Sequence, residues 1–378
     1  MTEISLVERV SSEIDQIVDL LRQLVEMESP SHSKELVDRL GVFVAERLRE
    51  NGLDPQVVAR EKVGDIIWTE WGSQQEGRIL ILCHIDTVWE PGSLERNPFR
   101  VEDGRVYGPG IFDMKSAVAA TLKIQEYLSR GWIEPRRKVR FLYTTDEEVD
   151  SSHSRELIED FARQSDLVLV LEPPLPGGAL KTLRKGVGSY RLKIHGKRAH
   201  AGLEPHKGTH ALEEMARQIL DIHALASPDA GTTVTVNVVR GGTAHNVIPE
   251  YAEGLIDVRF RTLEEGQRID LAMQDRATHL PGIRLEIEGG IERQPLIKSE
   301  RSRELFRQAR EIAAELGMDL GEGESGGASD GNLTAVLGVA TLDGLGITGD
   351  GAHAWHEHIL LEAVAPRIAL LARLLERL

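Results

Sequence analysis

The chain has 378 residues, of which 41% are hydrophobic and 28% charged, and a formal net charge of −16. That length exceeds what one core serves and implies more than one domain, with enough apolar residues to fill each. The acidic balance leaves no basic surface to neutralise phosphates, which excludes nucleic acid as a partner and disfavours anionic membranes.

In chain order, Met1 to Arg9 lacks the basic segment and apolar core of a signal peptide, and no uncharged apolar run reaches the roughly 18 residues that span a bilayer. The expected location is the cytoplasm. Ile14 to Met27 carries apolar residues at helical spacing; Ser33 to Asn51 repeats the pattern, with Ser31 or Ser33 as cap and Gly52 as stop. Short strands follow near 56–60 and 65–71. Ile79 to Cys83 is a run of branched aliphatics bounded by polar residues, which reads as a strand buried on both faces of a parallel sheet. Cys83 is the only cysteine, so no intrachain disulfide can form; it reads as a small buried hydrophobe in a protein of a reducing compartment.

A long loop with Pro91, Pro98 and Gly108-Pro-Gly110 leads to an Ala-rich helix over 115–129, and strands at 139–144 and 166–171 complete an alternating strand and helix series. Past Gly177-Gly178 the pattern changes: apolar and basic residues alternate from Gly188 to His195, which marks a sheet with one face in solvent. A helix at 208–225, strands at 232–239 and 251–260, a helix at 263–278 and a strand at 283–289 follow. The order βαββαβ is that of a ferredoxin-like module. A helix at 300–316, a Gly-rich loop at 321–331, a strand at 338–343 and a helix at 359–377 end the chain. The expectation is an α/β catalytic domain made of residues 1–182 and 293–378, interrupted by an inserted α+β domain over 183–292.

Three of the apolar runs end in acid or imidazole: His84-Ile-Asp86, Asp146-Glu147-Glu148 and Glu172. Ligands of open sheets bind outside the carboxyl ends of the strands, so these groups should converge on one rim, as a divalent metal site requires. Residues i and i+2 of an extended segment point the same way, so Asp86 can accept from the non-coordinating nitrogen of His84. Asp113, between a Gly-Pro-Gly loop and a helix, reads either as an N-cap or as a two-oxygen bridge between cations. Of the pair Glu147 and Glu148, one can bind metal while the other holds water as general base, its pKa raised by burial and neighbouring carboxylates.

The segments His84-Ile-Asp86-Thr-Val, Gly108-Pro-Gly-Ile-Phe-Asp113-Met-Lys115, Thr144-Thr-Asp-Glu147-Glu148, Glu172-Pro and His353-Ala-Trp-His-Glu357 resemble, in order and spacing, the M20 metallopeptidase family. Within it the likeness is greatest to the glutamate carboxypeptidase, or carboxypeptidase G2, group. The resemblance implies a zinc-exopeptidase-like, mostly parallel sheet flanked by helices, with the inserted domain serving as dimerisation and lid domain. It implies two zinc ions, replaceable by cobalt or manganese, with Asp113 bridging, His84 and Glu172 on one ion, and Glu148 and His353 on the other. Glu147 would be the general base toward a shared water, and Asp86 the orienting residue.

His200, in Gly196-Lys-Arg-Ala-His-Ala-Gly202, would by the same likeness reach the active site of the partner in a homodimer and stabilise the oxyanion. Asn246, Arg259 and the loop carrying Gly327 and Ser329 match positions that grip a substrate carboxylate; read alone, Arg259 is equally a surface residue paired with Asp257 or Glu253. His356 and His358 read as exposed or supporting residues. Asp150, Ser116-Ala117, His206 and His210 depart from the family's usual residues, which bears on substrate identity and removes no ligand. The expected substrate is a small N-acyl amino acid or short peptide, cleaved to release a C-terminal amino acid, glutamate first. Alternatives are an N-acyl amino acid deacylase of the acetylornithine deacetylase or succinyl-diaminopimelate desuccinylase type, or a dipeptidase. An inactive binding scaffold on the same fold would be expected to have lost Glu147 or a ligand.

Overall fold

In the strand Arg78–His84, Ile79, Ile81 and Cys83 pack into one core while Leu80 and Leu82 pack into another, in a computed structural model that describes residues 5–72 and 76–378. Residues 1–4, the start of the segment read for a targeting signal, lie outside the described residues. Two cores on opposite faces explain why the run is apolar without alternation. The strand belongs to a six-stranded sheet in the order Gln56–Val58, Ile66–Trp71, Lys138–Thr144, Arg78–His84, Leu167–Val170 and Ala340–Leu342. The last four are parallel and the first two run antiparallel to them or to each other, so the sheet is mixed and mostly parallel. In-register pairing of His84 with Thr144 and of Leu82 with Val170 levels the strand ends, and the segments that follow all leave from one rim.

On the first face lie helices Ile14–Glu26, Lys34–Glu50, Ser116–Ser129, Glu300–Glu315 and Leu361–Arg377, contributing among others Leu21, Leu40, Val118, Phe306 and Leu371. The other face is covered by Arg155–Arg163 and Asp330–Ala335, through Ile158, Phe161 and Leu333. Neither of these two helices follows from the sequence pattern, being short and largely polar, nor does Leu6–Ser12. The cap expected for Lys34–Glu50 is not made: Ser33 occupies the cap position without a side-chain bond, and the Ser31 hydroxyl donates to Asp86 at 2.7 Å instead. Cys83 is buried, as expected, and its apolar surroundings push its thiol pKa up.

The chain forms two compact units, one of Met1–Leu183, Lys298–Ser325 and Ser329–Leu378, the other of Arg184–Ile297 with Gly326–Ala328. The second unit has a four-stranded antiparallel sheet in the order Thr233–Gly241, Tyr251–Phe260, Gly186–His195 and Arg284–Arg293. Helices Ala211–His223 and Leu263–Gln274 complete the βαββαβ order. Its core collects Leu192, Ile194, Met215, Ile256, Val258, Phe260 and Ile269. Arg191, Lys193, Glu253, Asp257 and Arg259 alternate with the core residues and line the other face. Thr233–Gly241 is an edge strand whose Val238 and Val239 are exposed, as is Leu220 on the first helix.

One buried charge supports the rim of the first unit. Arg367 donates from Nε to the carbonyl of Gly346 at 2.7 Å, from Nη1 to that of Gly178 at 2.9 Å, and from Nη2 to that of Gly344. Burial lowers its pKa to about 10, still far above neutrality. Gly346 in turn donates to the Glu172 carbonyl at 3.0 Å, an approach so close that a Cβ there would stand 2.6 Å from the Leu171 oxygen. Replacing Arg367 by Met should strand three buried carbonyls and cost more than about 3 kcal/mol, at roughly 1–3 kcal/mol each, in urea-induced unfolding. A loss under about 1 kcal/mol, the scale of a single hydrogen bond, would show that the loop stands without the guanidinium.

Candidate metal centre

The strand ends deliver their side chains to one place. His84, Asp113 and Glu172 form one group of potential metal donors and Asp113, Glu148 and His353 a second, the donor atoms of each lying within 4.8 Å of one another. Asp113 is common to both, and its oxygens divide between them. Oδ1 lies 3.2 Å from His84 Nε2, and Oδ2 lies 3.5 Å from His353 Nε2. Glu172 Oε1 stands 3.5 Å from His84 Nε2, and Glu148 Oε2 stands 3.2 Å from His353 Nε2.

Local structure accounts for each placement. Asp113 sits in a kinked turn, Ile111–Lys115, ahead of the helix that begins at Ser116, and no side-chain cap is formed there. The turn is entered through Gly110 at φ 71, where a Cβ would stand 2.5 Å from Thr87 Cγ2. Lys115 is buried and turns away to donate to the Met27 carbonyl at 2.7 Å. Glu147 and Glu148 open a short helical turn after Thr144, and Glu172 follows Leu171 directly off its strand. His353, half exposed and at a left-handed φ of 61, lies in the turn between Gly349–Asp350 and His358–Leu360, which pair antiparallel.

Asp86 acts differently from the expectation. The hydrogen bond from His84 Nδ1 goes to the Asp86 backbone carbonyl at 3.0 Å, with the carboxylate 3.6 Å away, too far for a good bond. A proton on Nδ1 leaves Nε2 as the lone-pair donor facing Asp113 and Glu172. The fully buried carboxylate instead accepts the N–H of Glu147 at 3.3 Å, the N–H of Glu148 at 3.2 Å and the Ser31 hydroxyl. Asp86 thus orients the acidic turn, and its charge still acts on His84.

The electrostatics fit a cation pair. Burial pulls the His84 pKa down, but Asp113, Asp86 and Glu172 outweigh it and hold the imidazole well above its usual value. Asp113 and Glu148 raise His353 to about 10. Burial, with the Asp113 charge, lifts Glu148 to about 7 against the pull of His353. Burial likewise raises Asp113, yet the two imidazoles outweigh it and keep that carboxyl far below its ordinary range. The carboxylates that raise both imidazoles would equally attract divalent ions, and three of them this close call for positive charge between them. Oε1 of Glu148 is buried without a hydrogen-bond partner among the described residues, an oxygen a cation would use. Two carboxylates and an imidazole per group, with one carboxylate shared, suit zinc and its borderline relatives.

His200, Asn246, Arg259, Gly327 and Ser329 belong to neither donor group. His200 is exposed in the second unit, where its Nδ1 accepts the N–H groups of Gly202 and Leu203, each at 3.1 Å. That arrangement leaves Nε2 as the protonated, donating nitrogen. A two-stranded ribbon pairs Ala199 and His200 with Ile248 and Val247, and the Asn246 carbonyl accepts from Ala201 at 2.9 Å, so Asn246 and His200 are neighbours. Arg259 is doubly bonded to Asp257, with Nε at 3.0 Å from Oδ2 and Nη2 at 2.8 Å from Oδ1, which is the surface pairing that its spacing equally predicts. The carbonyls of Gly327 and Ala328 are held by buried Arg184 at 3.1 and 3.2 Å. Ser329 is fully buried: its hydroxyl donates to Asp343 and accepts the Gly331 N–H, capping the helix Asp330–Ala335. His356 and His358 contribute to neither donor group.

The contacts made by three residues, Ser31, Arg184 and Glu357, escape a reading of the sequence. Ser31 and Arg184 act on backbone or carboxylate partners far along the chain, and nothing local signals it. Glu357 accepts four N–H donors, one of them from Trp89, and burial lifts its pKa to about 7 against the pull of the backbone N–H groups around it. Its spacing of four from His353 places it in the family segment, without indicating which groups it bonds.

The profile of peptidase family M20/M25/M40 matches residues 80–377. Carboxypeptidase G2 of Pseudomonas sp. (strain RS-16) is 29% identical over 98% of this chain and 91% of its own length. A succinyl-diaminopimelate desuccinylase of Thioalkalivibrio sulfidiphilus is 26% identical over 96% of this chain and 98% of its own. Among solved structures, a dinuclear metal binding peptidase from the M20 family of Bacillus subtilis superposes with a TM-score of 0.69 at 17% identity, covering 96% of this chain and 98% of that one. A match over most of the chain makes this protein a metallo-hydrolase and a member of peptidase family M20/M25/M40.

Proposed function

We propose that the chain is a dizinc, homodimeric, cytoplasmic amidohydrolase that cleaves the terminal amide of a small N-acyl amino acid or short peptide and releases a C-terminal amino acid, with glutamate the first candidate. The observation that carries this reading is the division of the Asp113 carboxylate, one oxygen toward His84 and the other toward His353, beside the Glu147-Glu148 turn. In it, His84 and Glu172 hold one ion, Glu148 and His353 the other, and Asp113 both. Zinc, or cobalt or manganese in its place, would supply Lewis-acid polarisation of the scissile carbonyl and a water of lowered pKa.

The chain's own groups then move the protons. Glu147, its backbone fixed by Asp86, takes the proton of the attacking water and passes it to the leaving amine nitrogen. His200, whose Nε2 is the donating nitrogen, serves the developing oxyanion from the partner subunit. Exposed Val238 and Val239 on an edge strand, with Leu220 nearby on the adjacent helix, support a second copy as the cover of that edge. Arg259, Asn246 and the loop at Gly327 and Ser329 receive the substrate carboxylate, Arg259 through a bidentate pair that Asp257 now occupies. Since the Ser329 hydroxyl is engaged in its helix cap, the loop's contribution falls on backbone groups. Cys83, a lone buried thiol, is compatible with a reducing compartment.

A second reading, deacylation of N-succinyl or N-acetyl amino acids, is favoured by the desuccinylase relatives. It uses the same scissile amide and differs in which flank the site selects. A panel of N-acyl amino acids varied separately on the acyl and carboxyl sides separates the two: carboxypeptidase-type selection predicts rates governed by the released amino acid, and deacylase-type selection predicts rates governed by the acyl group.

Glu147→Gln should lower kcat by at least about 100-fold while bound zinc, measured by elemental analysis, stays at the wild-type level. Normal turnover in that variant would remove Glu147 from the proton path. Arg259→Ala deletes one charge-assisted bidentate pair, and should raise KM about tenfold or more for substrates with a free carboxylate while changing kcat little. An unchanged KM would leave Arg259 as the partner of Asp257 and nothing more.

A further inference from the structure

Glu357 lies four residues past His353, in the segment that leads into the strand His358–Leu360, and is completely buried. Its carboxylate accepts four N–H groups: Trp89 Nε1 at 2.7 Å and Gly110 N at 2.8 Å on Oε2, and Phe112 N at 2.9 Å and Asp113 N at 3.0 Å on Oε1. Four donors on two oxygens satisfy both oxygens of the side chain within the protein. The donors have a common property. Gly110, Phe112 and Asp113 form the turn that presents the bridging carboxylate, and Trp89 lies three residues past Asp86 on the segment leaving His84.

His353 itself is half exposed, and both of its ion pairs are with donor carboxylates, Asp113 and Glu148. Its position is therefore set by the backbone that carries it. Pairing of His358–Leu360 with Arg105–Tyr107 brings the His353 turn beside the Asp113 turn, and Gly108 N reaches the Glu357 carbonyl at a long 3.4 Å. The side chain of Glu357 supplies the short bonds between the two. Trp355, packed against Trp89 with ring centroids 4.7 Å apart and planes tilted by 58°, lies at the same junction.

We infer that Glu357 is a positioning residue that sets the spacing of the two donor groups, holding the Asp113 turn and the His353 turn in one frame through its four N–H bonds. The inference rests on the dizinc reading above. It separates Glu357 from a simple staple of the fold: a staple would change stability alone, whereas a spacer changes how tightly the ion shared by Asp113, Glu148 and His353 is held, and with it kcat.

The test uses the full chain stripped of metal and titrated with zinc against a chromophoric chelator, with kcat, KM and thermal unfolding of the metal-free protein measured alongside. Glu357→Gln keeps the volume but turns an amide N–H₂ toward two of the four donors. It should weaken the second zinc equivalent about 10-fold to 100-fold, in the range known for outer supports of metal ligands, and lower kcat by a similar factor at saturating zinc, with KM within about threefold. Glu357→Asp, which restores the carboxylate but withdraws it, should recover part of both. Trp89→Phe, which deletes one donor, should weaken the second zinc about threefold, the equivalent of one modest hydrogen bond.

Wild-type zinc affinity and kcat in folded Glu357→Gln would overturn the inference. If that variant does not fold, wild-type affinity in Trp89→Phe would overturn it equally. A wild-type chain that binds no second zinc overturns the dizinc reading and this inference together, whereas two zinc equivalents held equally tightly in the wild type and in Glu357→Gln overturn this inference only.

Discussion

Three carboxylates and two imidazoles brought to within bonding distance around Asp113 form the constraint on which the rest of this protein depends. Like charges at such separations repel strongly in a medium that water scarcely penetrates, and the folded chain tolerates them only with positive charge between. Much of the first unit serves that end. Parallel strands in register level the ends that carry His84, Glu148 and Glu172. Asp86 and Ser31 steady the acidic turn from below, and Arg367 fastens the loop behind Glu172. Each is a buried polar group satisfied by hydrogen bonds, the form in which such groups are least costly.

What could be read from the sequence and what could not follow from how far each interaction reaches. The strand Arg78–His84 is legible because burial on two faces imposes an unbroken apolar run, and the helix Ser116–Ser129 because its composition repeats locally. The likeness of His353-Ala-Trp-His-Glu357 to the family carries the donor that no strand end supplies. Asp86 is legible as a partner of its neighbourhood but not in detail: two-residue spacing places it beside His84, while the competing N–H groups of Glu147 and Glu148 arrive from another strand. The partners of Glu357 and Arg184 lie beyond reach because they are mostly backbone groups, which carry no residue signature. Arg259 marks the opposite limit, where two-residue spacing on a strand predicts the pairing with Asp257 as readily as a role in binding.

The second unit follows simpler rules. Its sheet has helices on one face only, so its strands alternate, and the open face collects charged pairs such as Arg191 with Glu253. Within it, backbone N–H groups fix the tautomer of His200, and the ribbon register brings Asn246 alongside. The metal groups are set by buried charge, whereas these positions are set by exposed backbone geometry.

Glu357 and the Asp113 amide that it accepts are 244 residues apart, with the whole second unit lying between them in sequence. The centre is thus closed only after that unit has been made. A chain growing from its N-terminus holds one donor group, His84, Asp113 and Glu172, through much of its synthesis, while the other waits for His353. The sheet and core that carry the first group themselves draw on residues beyond 300, so both groups depend on the last part of the chain. The late arrival of His353 makes assembly of the second group coincide with completion of the first unit.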